Sequence, residues 1–123
     1  MMLSVIDWRK NIQMQQYKIK ITDLAEQDLE NLGDYIAYQL KNPSAAVNTV
    51  KGIRKQINSL RTFPERNELD DDPMLASIGV RMDYYKNYKI YYIVESDVIY
   101  IVRIFHMLVD SRTWLYRSLG LSI

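Results

Sequence analysis

Gly79–Asp110 reads GVRMDYYKNYKIYYIVESDVIYIVRIFHMLVD, and no other stretch says as much about the fold. Three β-type runs, Gly79–Tyr84, Tyr88–Glu95 and Val98–His106, are separated by two tight polar turns at Lys86-Asn87 and Ser96-Asp97. Runs rich in Val, Ile and Tyr around two-residue turns predict an antiparallel meander. Tyr88–Val94 is apolar on both faces except at Lys89, as a central strand requires. The runs carry Arg81, Lys89 and Arg103, and the last ends in the only histidine of the chain, His106. Two readings fit: a plain core sheet, or a platform for a phosphate-bearing or acidic partner.

Outward from the meander, Tyr17–Ile21 (YKIKI) alternates apolar and charged and reads as a half-exposed strand. Thr22 or Asp23 can cap a helix, with Glu26 at capping-box spacing from Asp23. Leu24, Leu29, Leu32, Ile36 and Leu40 form a helical stripe, predicting a helix over 23–41. Asn42-Pro43 restarts the chain as N-cap and first helical residue. Ala46, Val47, Val50, Ile53, Ile57 and Leu60 then predict a second helix over 43–62, antiparallel to the first. Residues 64–78 read as a loop, acidic in its first half. Residues from Val109 to Leu119 read as a short helical tail. The expected fold is α+β: a helical hairpin packed on a mainly antiparallel twisted sheet, in the order β-α-α-β-β-β. The division is a poorly ordered N-terminal extension, 1–16, and a single domain, 17–123.

The whole chain has 123 residues and 25% charged residues at a net charge of +1. It has no cysteine, so disulfides and thiolate metal sites are excluded. A single histidine argues against a His-rich metal centre. No apolar run approaches the roughly 20 residues of a membrane span. Residues 1–16 lack the apolar core of a signal peptide, so the expected location is the cytoplasm. The near-neutral total hides segregation. Asp23, Glu26, Asp28, Glu30 and Asp34 crowd one segment and Glu65, Glu68, Asp70, Asp71 and Asp72 another, while Tyr35–Pro64 holds five basic residues and no acid. Such segregation makes a local field that suits steering of a charged partner, or serves only to keep helix faces solvated.

His106 is the natural acid or base near neutral pH, and Arg81 and Arg103 are guanidinium groups able to grip a phosphate. Tyr84, Tyr85 or Tyr88 can stack on splayed bases, or pack as strand residues do. Strand alternation places His106 with Val102 and Ile104, and Arg103 with Ile101 and Phe105, on opposite faces unless a bulge intervenes. Arg81 and Asp83 share a strand face and are each other's nearest opposite charge in sequence.

The order β-α-α-β-β-β, with YKIKIT-LAEQDLENLGDYI, FPE, GVR, NYKIYYIVE and IYIVRIFHMLVD in sequence, resembles the RelE/ParE superfamily of toxins from type II toxin–antitoxin pairs. The likeness runs from Tyr17 to about Leu115. It implies a toxin that arrests growth, either by ribosome-dependent cleavage of messenger RNA without a metal or by poisoning DNA gyrase. It also implies a cognate antitoxin as partner, no cofactor and no membrane association. A non-toxic module that only pairs with an antitoxin-like partner is the alternative. Matched residue by residue, the resemblance makes Arg81, Lys89 and His106 catalytic candidates. Tyr84, Tyr85, Tyr88, Arg103, Asp110 and Arg112 are candidates for target binding. His106 and Asp110 match the H-x-x-x-D ending of ParE-like members. Met82 and Asp83 stand where RelE has paired lysines, and Met107, Leu108 and Val109 follow the histidine where basic residues are frequent, which favours the ParE-like branch. Family members begin near the position of Met14, so residues 1–13 are expected to be dispensable.

Overall fold

A computed structural model describes residues 16–121; the expected N-terminal extension therefore lies, but for Gln16, outside the described residues. The elements are β1 (Lys18–Ile21), α1 (Asp23–Asp34), α2 (Pro43–Ser59), α3 (Pro73–Ser77), β2 (Val80–Tyr85), β3 (Tyr88–Glu95), β4 (Val98–His106) and α4 (Ser111–Ser118). They form an α+β fold around one four-stranded sheet of order β1-β4-β3-β2. β2, β3 and β4 are the antiparallel meander, and β1 adds at the far edge, parallel to β4.

The helix signals act where they were read, with shorter spans. Thr22 is the cap of α1: its hydroxyl accepts from the Ala25 amide (3.2 Å) and donates to the Val102 carbonyl (3.1 Å), pinning the helix start to β4. The helix does not run on as α to residue 41. Its last turn, Tyr35–Gln39, widens to a π-type helix, and Lys41 closes it at φ 52°. This left-handed residue is the usual way to end a helix, although glycine is the usual occupant. Asn42 caps α2 through the Ala45 amide (3.1 Å), with Pro43 at the first position. The 64–78 segment is not a plain loop. It holds a 3-10 turn, Pro64–Arg66, and the short helix α3, capped by the Asp72 carboxylate on the Met74 and Leu75 amides. Asp72-Pro73 was a start signal that the surrounding acidic run obscured.

Two cores lie on opposite sides of the sheet. The hairpin buries Leu29, Ile53 and Ile57 against Ile90, Tyr92 and Ile101. On the other side α3 and α4 bury Leu75, Leu115 and Tyr116 against Val80, Val102 and Phe105. Each such side chain stabilises by about 1.5–3 kcal/mol on leaving water.

A β-bulge governs side-chain direction in β4. Tyr91 pairs with Arg103 and Tyr92 with Ile101, so Val102 is the extra residue. The strand changes parity there. Ile101 and Ile104 both face the hairpin and Val102 faces α4, which corrects the simple alternation expected from sequence. Arg103 and His106 still point to opposite faces: the Arg103 guanidinium lies over the Phe105 ring (4.6 Å), and His106 packs edge-on against Tyr88 (5.5 Å).

Candidate functional site

On the α3–α4 side of the sheet, the part left uncovered forms a cleft of about 640 Å³. Lys89, Tyr84, Tyr91, Met82 and Met107 make its floor, and the Arg66–Asp71 segment makes its wall. Lys89 reaches across to the Val109 carbonyl (2.9 Å) and lies 5.8 Å from the centre of the Tyr91 ring. Burial holds its pKa below the ordinary lysine value, and the nearby carboxylates Asp110 and Asp70 offset only part of that. Tyr84 is half exposed and free to stack. Glu68, Asp70 and Asp71 give the wall a negative charge.

Arg81 is on the other face. Asp83 and Tyr85, which share its parity, meet α2: Gln56 donates to Asp83 (2.9 Å), and the Tyr85 ring lies over Gly52. The Arg81 guanidinium donates to the Asn67 carbonyl and so ties the segment after α2 to the sheet. It does not pair with Asp83. That carboxylate takes Arg66 instead (3.1 Å), which corrects the pairing suggested by sequence proximity. Arg66 comes from the turn after α2, a contact that no spacing rule could reveal.

His106 stands at the end of β4 in a second cleft, of about 450 Å³, beside Tyr88, Tyr35 and Asn31. Its Nδ1 accepts from the Leu108 amide (3.1 Å), which places the proton of the neutral ring on Nε2. Burial raises the pKa of Tyr88, with a further push from Tyr35. Arg103 is spent on structure. It forks onto Asp28 of α1 (2.8 Å on both arms) and bonds the Ser118 hydroxyl of α4 (2.9 Å). The same carboxylate accepts from the Ile104 amide (2.9 Å), capping the β4 edge beyond β1. Asp110 caps α4, and Arg112 pairs with Asp72 of α3 (2.7 Å).

The fold therefore does not bring Arg81, Lys89 and His106 together. Lys89 shares the open cleft with Tyr84; His106 and Tyr88 share the second; Arg81 is tied to the loop that walls the first. Tyr85, Arg103 and Arg112 hold one element to another, and Asp110 caps its own helix. Missed by the sequence reading were Asp28, Arg66 and Asp72, whose partners lie on other elements. Among the described residues no group of three or more His, Asp or Glu side chains is placed to hold a metal ion. No helix among them is long and apolar enough to cross a membrane.

Residues 19–110 match the family described as ParE toxin of type II toxin–antitoxin system, parDE. No curated protein matches the chain. Among solved structures, the chromosomal ParDE system from P. aeruginosa matches with TM-score 0.64 at 23% identity, covering 75% of this chain and 97% of that one. A RelBE toxin–antitoxin complex from Mycobacterium tuberculosis matches with TM-score 0.53 at 20% identity, over 76% and 93% of the two chains. The E. coli toxin RelE, as a double-arginine mutant in the free state, matches with TM-score 0.55 at 14% identity, over 84% and 93%. At these identities the three solved structures speak for the fold.

Proposed function

The chain belongs to the ParE toxin family of type II toxin–antitoxin systems, and from that premise we propose that it arrests growth by poisoning DNA gyrase and is neutralised by a cognate antitoxin. The observation carrying this choice of target is the state of the cations. Metal-free RNA cleavage needs free cations converging on one phosphate, with an acid or base beside them. Here Arg81 is bound to the Asn67 carbonyl, Lys89 to the Val109 carbonyl and Arg103 to Asp28. The open cleft, where a substrate would meet Lys89 and Tyr84, is walled by carboxylates that repel RNA. The antitoxin rests on the family and on two neighbours of like fold, one a ParDE system and one a toxin–antitoxin complex.

Induced expression in a host without antitoxin should stop growth and leave gyrase trapped in cleaved complexes with DNA. Co-expression of the neighbouring antitoxin gene should restore growth. Intact gyrase–DNA together with messenger RNA cut in stalled ribosomes would replace this reading with RNA cleavage. Normal growth would remove the toxic activity altogether.

A further inference from the structure

Asp23, Glu26, Glu30 and Asp34 of α1 and the basic residues of α2 line neither cleft above, and the hairpin gives their segregation a shape. α1 lines one side of a groove of about 770 Å³ with Asp23, Glu26, Glu30 and Asp34, and α2 lines the other with Lys51 and Arg54. Between the two rims runs a floor of small and apolar residues: Gly33, Ala37, Ala46, Val47 and Val50. The helices touch here, since a Cβ on Gly33 would stand 3.3 Å from Val50. Val47 is 52% exposed, and beyond it Tyr38 and Leu40 are exposed at the hairpin tip. Glu26 and Arg54 already meet across the groove (2.8 Å), which leaves Asp23, Glu30 and Asp34 on one rim against Lys51, with Lys55 one turn on.

An occupant has to bury the floor and answer an acidic and a basic rim at once. The geometry points to a second copy of this chain, packed hairpin on hairpin about a two-fold axis running along the groove. α1 and α2 are antiparallel, so rotation about that axis lays α1 of each copy over α2 of the other. Acid then faces base on both sides, in an isologous four-helix arrangement. A two-fold axis across the groove would set α1 on α1, acid against acid, and the charges reject it. Height along the hairpin is kept under the rotation. Glu26 lies level with Arg54 and Gly33 with Val50 within one copy. Glu30, between them on α1, therefore comes over Lys51 of the second copy, and the small floor residues let the helices approach. This interface is independent of the toxic mechanism.

The test is a charge swap read by analytical ultracentrifugation of the full chain. Wild type should reach twice the chain mass, more weakly as salt rises. Glu30→Lys and Lys51→Glu lie on exposed positions, and each should keep the wild-type melting temperature. Each alone puts two like-charged contacts into the interface and should raise the dissociation constant at least about tenfold. Mixing the two variants should restore the dimer, because both charge pairs across the mixed interface are then opposite in sign. A wild-type chain monomeric at concentrations on the order of 100 µM overturns the proposal. So does a dimer indifferent to either swap, which would pair through another face, and so does a mixture that stays monomeric. A groove that becomes protected only when antitoxin is added would belong to that partner instead.

Discussion

Arg103 and Lys89 show how little a residue type says about its employment. Arg103 was a candidate for holding a phosphate or a target and Lys89 a catalytic candidate, and both are tied to their own chain. Arg103 and Asp28 are largely out of solvent, with side chains 14% and 11% exposed. Removing the guanidinium leaves a carboxylate partly buried without its counter-ion, a loss of about 3 kcal/mol. Arg103→Ala should lower the melting temperature by at least about 10 °C, and Arg103→Lys should recover little, because an ammonium cannot fork onto both oxygens. A variant within about 2 °C of wild type would show the pair to be incidental. For Lys89 burial favours the neutral amine, so the folded-state pKa lies below that of the unfolded chain, ordinarily about 10.4. Between those two values the unfolded state binds more protons, and stability attributable to Lys89 rises with pH. NMR titration should show Lys89 losing its proton below the ordinary lysine value of about 10.4; titration at or above that value would contradict the burial argument.

Elements meet through close approaches that sequence spacing does not announce. α2 crosses β2 at Gly52, where an added Cβ would overlap the ring and hydroxyl oxygen of Tyr85. In a free helix Gly→Ala gains about 1 kcal/mol. Here overpacking costs about 1–3 kcal/mol and wins. Gly52→Ala should therefore destabilise the protein by about 1 kcal/mol, measured by urea denaturation. In a Tyr85→Ala background the same change should become stabilising by about that amount; equal effects in both backgrounds would mean that Tyr85 simply moves aside. The α3–α4 contact is built likewise. Asp72 caps α3, accepts the Tyr116 hydroxyl (2.8 Å) and pairs with Arg112. Desolvation opposes its ionisation, yet the Leu75 amide, Tyr116, Arg112 and the Met74 amide together hold its pKa below the ordinary value. That contribution is complete above the unfolded carboxylate's pKa, about 3.9, and is lost as pH falls through the lower folded value. Asp72→Asn should accordingly lose less stability between neutral pH and about pH 3 than wild type does. A parallel loss in both proteins would remove Asp72 as the cause.

Over the whole molecule, a partner that binds only the folded chain must raise its stability. With antitoxin free at about 100 times its dissociation constant, the gain is about 2.7 kcal/mol. The melting temperature of the toxin should rise accordingly in thermal scans with purified antitoxin, and an unchanged value would argue against a direct complex. The sequence by itself determined the parts: three strands with their turns, legible because β-branched and aromatic runs break at Lys86-Asn87 and Ser96-Asp97; the hairpin, legible from two apolar stripes around Asn42-Pro43; and the family, from the order of these pieces. All of these are local patterns of period or punctuation. Only the tertiary structure decided what the charged residues face. The bulge at Val102 reverses the parity of β4, Arg66 displaces Arg81 from Asp83, and Asp28 reaches Arg103 from 75 residues away in the chain. A charge finds its partner by distance in space, and that distance exists only once the hairpin has closed over the sheet.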